Sequence, residues 1–101
     1  MAVPVSTPEQ RAEALAKAAA ARRIRAETKQ LLKAGSLQFR DVLDDEDDFI
    51  ATTKIGSLLP ALPGVGKVKA KRFLELHSIA SNRRLRSLTK RQRSVLLEHF
   101  G

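Results

Sequence analysis

Leu62-Pro63-Gly64-Val65-Gly66-Lys67-Val68-Lys69-Ala70 is the stretch that decides how this chain folds. Two glycines flank one apolar residue, and the sequence then turns at once into a basic helix. Glycine reaches backbone angles closed to other residues and holds no neighbour off. The order therefore predicts a tight hairpin whose N–H groups face outward at a helix N-terminus, a seat for phosphate. Lys67, Lys69 and Lys71 add charge beside it, and Ala70 is small enough for the two hairpin helices to close on each other. The competing reading is a plain αα-hairpin without a ligand. A bare Gly-x-Gly does not separate the two; the leading Leu-Pro and the trailing basic helix favour the phosphate seat. Pro63 at the tip either ends the preceding helix or offers an apolar wedge to a base step.

Outward from the hairpin, the spacing predicts a helix of about 67–77 with Ala70, Phe73, Leu74 and His77 on one face. A polar connector from Ser78 to Arg86 follows, carrying Arg83-Arg84-Leu85-Arg86. Three guanidinium groups around one anchoring leucine clamp phosphates or enter a minor groove, where the negative potential favours arginine. Alone this would read as a solvated loop; so soon after the hairpin, the binding reading is preferred. Thr89-Lys90-Arg91-Gln92 is a capping box that opens a last helix to His99, anchored by Leu96, Leu97 and Phe100.

Upstream, Ser57 is placed to cap a short helix of 58–62 with Pro60 in its first turn. Phe49, Ile50 and Ile55 suggest another short helix before it. The run Asp44-Asp45-Glu46-Asp47-Asp48 lacks the glycine and ligand spacing of a calcium loop, and reads as a solvated linker that charges the next helix N-terminus. Ser36 is placed to cap a helix of 37–45 containing Leu37, Phe39, Val42 and Leu43. Thr7-Pro8-Glu9-Gln10 starts a long helix, with Thr7 as N-cap, Pro8 at the first position and Gln10 closing a capping box. It should run to Lys33, ended by Gly35 in a left-handed cap. Its alanine-rich part, Ala12 to Ala21, has high helix propensity and little to bury. Ile24, Thr28, Leu31 and Leu32 form a docking face, with Arg22, Arg25, Lys29 and Lys33 as a basic stripe on the other side. No segment alternates like a strand. The chain is therefore all-α: one domain over 1–101, with a loose tail at 1–6, a projecting basic helix at 7–34 and a helical body at 36–101.

At 101 residues the chain builds a modest core and no deep catalytic cleft. Its four aromatics are all Phe, so a platform for stacking unpaired bases is not expected. With no cysteine, disulfides and thiolate metal sites are excluded. No apolar run suits a membrane span and no signal-type core stands at the N-terminus, which points to the cytoplasm. The net charge of +8 is unevenly spread: residues 1–40 carry eight Lys/Arg against three acids, 41–66 one against six, and 67–101 ten against two. Two basic lobes around an acidic strip suit a polyanion, held by salt-sensitive counterion release, better than they suit solubility alone. His77 and His99 have no thiol or paired carboxylate nearby and read as packing or surface residues. No acid–base pair with a pocket is visible, so the chain offers no catalytic residues, metal site or cofactor site and is expected not to be an enzyme.

The hairpin is similar to the helix-hairpin-helix signature of sequence-independent DNA binders. Along nearly its whole length the chain resembles the actinobacterial integration host factor family. The resemblance rests on Ala-Lys-Ala-Ala-Ala-Ala-Arg-Arg at 16–23, Ala61-Leu62-Pro63, Val65-Gly66-Lys67-Val68-Lys69-Ala70, Arg83-Arg84-Leu85-Arg86, and Arg91-Gln92-Arg93 leading to Leu96-Leu97-Glu98 and Phe100-Gly101. It implies a small all-α domain with a helix-two-turns-helix module, as in a small-subunit ribosomal protein and formamidopyrimidine-type glycosylases. It further implies a nucleoid-associated protein that binds duplex DNA with little sequence preference, bends or compacts it, and supports phage integration. The implied contacts are minor-groove and phosphate contacts through Pro63, Gly64, Gly66, Lys67, Lys69, Arg83, Arg84 and Arg86. Arg22, Arg23, Arg25 and Lys29 would form a second DNA surface, letting a monomer bridge two duplexes. Gly64 stands where the family leads one to expect Lys, and Pro60 replaces a helix former. The alternative is an RNA-binding ribosomal-type protein. A fragmentary glycosylase is disfavoured, since it needs a pocket for an extruded base and a nucleophile.

Overall fold

Helix caps are local chemistry, and the two capping boxes form as the sequence predicts. In the computed structural model, which describes residues 7–101, Thr7 accepts from the Gln10 backbone N–H and Gln10 reciprocates, opening α1 (Pro8–Lys33). Thr89 and Gln92 do the same for the last helix, α6 (Lys90–Phe100). The tail expected at 1–6 lies outside the described residues. Between α1 and α6 stand α2 (Phe39–Leu43), α3 (Asp48–Ala51), α4 (Ile55–Leu58), a 3-10 turn (Leu59–Ala61), α5 (Gly66–Leu76) and a second 3-10 turn (Leu85–Ser87). No strand forms among the described residues; one isolated antiparallel bridge pairs Lys54 with Arg84. None of the described helices is long and apolar enough to cross a membrane.

Three short elements differ from expectation, each for a backbone reason. Gly35, at φ +75, closes α1 by donating to Leu32 O, while Ser36 and Leu37 donate to Leu31 O. The chain leaves α1 through these bonds and is still extended at Gln38 (φ -83, ψ 143), so α2 starts two residues later than Leu37, with Gln38 at its cap position. Pro60 has no N–H for a helical bond, so α4 ends at Leu58 and the chain tightens into the 3-10 turn. Ser57 is therefore inside α4 and not its cap; the cap position is Lys54. Ile55 opens α4 and does not share a helix with Phe49 and Ile50. The acidic run does charge a helix start: the Asp47 carboxylate accepts from Phe49 N at 2.9 Å.

Leu32, Val42, Ile55, Leu58, Leu59, Leu85 and Leu96 are fully buried, drawn from α1, α2, α4, both 3-10 turns and α6. Phe39 meets Phe100 edge-on at 6.2 Å where α2 packs on α6. Ala70 is buried where α5 packs on α4 and the 3-10 turn, the close approach that a small residue permits. Ile79 joins the core from the stretch that reads as polar connector, and Leu88 from just beyond it. Ser78, at φ 56, closes α5 so that Ile79 N donates to Leu74 O at 2.8 Å and the Ile79 side chain turns inward.

α1 docks by the expected Thr28 and Leu32, with Ile24 half-buried, but the face is rotated toward Ala21 and away from Leu31. Ala21, Thr28 and Leu32 are buried, whereas Leu31 is 47% exposed. Steps of three and four residues from Ala21 reach Arg25, Thr28 and Leu32, which places Arg25 on the docking face and Leu31 at its edge. Residues 7–19 touch little and are all exposed. This free half explains a radius of gyration of 15.8 Å, against about 13 Å for a compact chain of this length.

Candidate nucleic-acid interface

The hairpin is built as its residues require. Val65 N donates to Leu62 O at 3.1 Å, and both side chains turn to the core, Leu62 buried and Val65 half-buried. This pins the turn from beneath and leaves Pro63, Gly64, Gly66, Lys67 and Lys69 exposed. Gly64 and Gly66 sit at φ +75 and +70, with open space where a side chain would be. α5 begins at Gly66 without a side-chain cap, so its first N–H groups are left without a side-chain partner. Lys67 lies on the hairpin side of α5. Lys69, two residues on, points around the helix by about 200°.

The arginine segment is held beside α4 by backbone pairing. Ile55 N donates to Arg83 O and Gly56 N to Ser81 O, each at 2.8 Å, and Leu85 N donates to Thr53 O at 3.0 Å. Gly56 is required here, because a Cβ would stand 2.6 Å from Ser81 Cβ and 2.7 Å from Ser81 O. Leu85 is buried as the expected anchor, and the three arginines then diverge. Arg84 is exposed and its Nη1 donates to the Thr52 carbonyl. Arg83 folds back so that Nε donates to Ser87 O at 2.7 Å. Arg86 reaches to 3.8 Å from Asp48 Oδ1, both side chains being largely exposed.

The basic residues of α1 lie in different surroundings. Arg25 is half-buried: Nε donates to Phe49 O at 3.0 Å and Nη2 to Thr52 Oγ1 at 2.9 Å. It staples α1 to α3. Lys29 Nζ lies 2.6 Å from Ser57 Oγ on α4. Arg22 lies seven residues before Lys29, along the same edge of the helix. Arg23, about 100° around the helix from Arg22, is paired to Glu27 at 4.0 Å in the open.

Adjacent concavities join these pieces. Lys29 and Lys33 face Pro63–Lys67 across the first. Lys29, Ser57, Lys67 and Lys71 line the second. Arg25, Lys54, Ser57 and Arg84 line a third, and Lys17, Arg25 and Arg86 a fourth. Ser57 and Arg25 are shared between neighbours, so one basic band runs from the hairpin to Arg86, where Asp48 borders it. Lys54 and Ser57 belong to this band although nothing in their local sequence marks them; only the pairing of 53–57 with 81–85 brings them there. His77 and His99 meet elsewhere, against Phe73 at the far end of α5, with ring centroids 5.7 Å apart.

Residues 32–100 match the domain family described as the S13-like H2TH domain. Over its whole length the chain is 53% identical to the integration host factor of Mycobacterium tuberculosis, covering 98% of that protein. It is 48% identical over its whole length to that of Streptomyces coelicolor, covering 96% of it. The fold also resembles a solved structure of sIHF bound to an 8-base-pair palindromic DNA, with a TM-score of 0.80 and 45% identity, over 84% of this chain and 98% of that one.

Proposed function

The chain belongs to the integration host factor family of mycobacteria and Streptomyces, built on an S13-like H2TH domain, and on that footing we propose that it is a non-enzymatic architectural protein of duplex DNA. The observation that carries this reading is the continuous basic band, together with its relative solved on DNA. Phosphates enter at the open start of α5, where uncapped N–H groups, the positive helix end and Lys67 converge. Arg84 and Arg86 take phosphates farther along and enter the minor groove. Such contacts position the protein without reading bases, so binding is largely independent of sequence. Pro63, exposed at the hairpin tip, supplies the wedge for bending. Compaction of the chromosome in the cytoplasmic nucleoid and support of phage integration complete the reading.

The geometry does not favour one monomer bridging two duplexes, because Arg25 and Lys29 of the supposed second surface line the same band as the hairpin. The S13-like character of the domain supports a second reading, binding to structured RNA. Competition between duplex DNA and a structured RNA separates the two, and preference for RNA reverses the order. Charge reversal of Arg84 and Arg86 should weaken binding to every duplex in a gel-shift series. It should also flatten the log–log salt dependence by about 0.9 for each phosphate no longer neutralised. Unchanged affinity would reject this surface.

A further inference from the structure

Ser57 lines three neighbouring concavities of the band at once. It stands on α4 with Lys54 and Arg84 on one side of it and Lys67 on the other. Its Oγ lies 2.6 Å from Lys29 Nζ, a bond made across 28 residues of sequence. We propose that Ser57 and Lys29 form a phosphate-diester seat at the middle of the band, taking a backbone phosphate of the duplex that the hairpin engages; the assignment rests on the duplex-binding reading above.

The chemistry fits an anion. When Lys29 donates to Oγ, the hydroxyl proton of Ser57 remains to be donated elsewhere, and the ammonium keeps two further N–H groups. One diester oxygen satisfies both, accepting from the hydroxyl and from the ammonium in charge-assisted bonds. A free lysine is a mobile point charge; here the serine holds it in place before the ligand arrives. Among the described residues, Glu75 is the one acid lining these three concavities, at the far end of the groove beside Lys71. The seat joins the α1 edge to the hairpin, so Lys29 acts on the same duplex as Lys67.

The test uses the full chain and a short labelled duplex, titrated over a range of potassium chloride. Ser57→Ala should weaken binding roughly tenfold, the scale of one hydrogen bond to a charged group, with the salt slope nearly unchanged. Lys29→Gln should weaken binding and flatten the slope by about 0.9, and Lys29→Arg should restore both. In the Lys29→Gln background, Ser57→Ala should add little, because the two groups act on one phosphate. Ser57→Glu should lose slope as Lys29→Gln does, since its carboxylate neutralises Lys29. Neither residue belongs to the hydrophobic core, so melting curves should stay near the parent's. If the parent binds duplex while Ser57→Ala and Lys29→Gln match it in affinity and slope, the seat is wrong and duplex binding stands. If the parent itself does not bind duplex, the underlying reading falls first.

Discussion

Gly56 and Gly66 are both glycine, for opposite reasons. At Gly66 there is room for a side chain, but φ of +70 disfavours one. Gly66→Ala should therefore cost about 1–2 kcal/mol through backbone strain, and turn the first N–H groups of α5 away from the band. At Gly56 the backbone is ordinary and the room is missing, since Ser81 Cβ and O crowd the site. The obstruction is partly backbone and cannot swing aside. Gly56→Ala should cost about 1–3 kcal/mol and loosen the arginine segment from α4. Thermal denaturation of the two variants checks both; a Gly56→Ala variant melting with the parent would show that the 53–57 and 81–85 segments are not closely paired. Gly66 is legible in the sequence, because a turn between two helices announces its glycines. Gly56 is not, because what it must avoid lies 25 residues away.

α1 is half anchored and half free, and Arg25 makes the difference at the boundary. Its side chain ties α1 to Phe49 O and Thr52 Oγ1, at the end of α3. Arg25→Met keeps much of the length of the side chain and removes both bonds. It should lower stability by about 1–3 kcal/mol and speed hydrogen exchange at amides 20–33. Undisturbed exchange there would mean that Ala21, Thr28 and Leu32 alone dock the helix. Element boundaries are legible where the cap is a local device, as at Thr7 and Thr89. They are not where the chain must finish leaving one helix before it enters the next, as from Ser36 to Gln38, or where Pro60 forces a 3-10 turn. The basic stripe misleads for a similar reason: arginine at a three- or four-residue spacing marks a face, but not whether that face meets solvent or the carbonyls of a neighbour.

At the scale of the molecule, the arrangement of charge decides what is bound. Two acids at the border of the band are paired: Asp48 lies by Arg86, and Asp44 pairs with Arg93, whose Nη1 also donates to Leu43 O at 2.9 Å, while Asp45 and Glu46 line the concavity beside Arg86 and mark where the band ends. The hairpin and the arginine cluster can be seen in the sequence because each is contiguous. Their union cannot, since Lys29, Lys54 and Ser57 come from separate elements and meet only through the tertiary pairing. One titration addresses this union most directly. Backbone amide shifts of the full chain are followed by NMR as a short duplex is added. A single band predicts concerted shifts at Ser57, Gly64–Lys67, Arg84–Arg86 and Lys29, saturating together at one duplex per chain. Shifts confined to α2 and α6, or separate saturation of α1 and the hairpin by two duplexes, would contradict it.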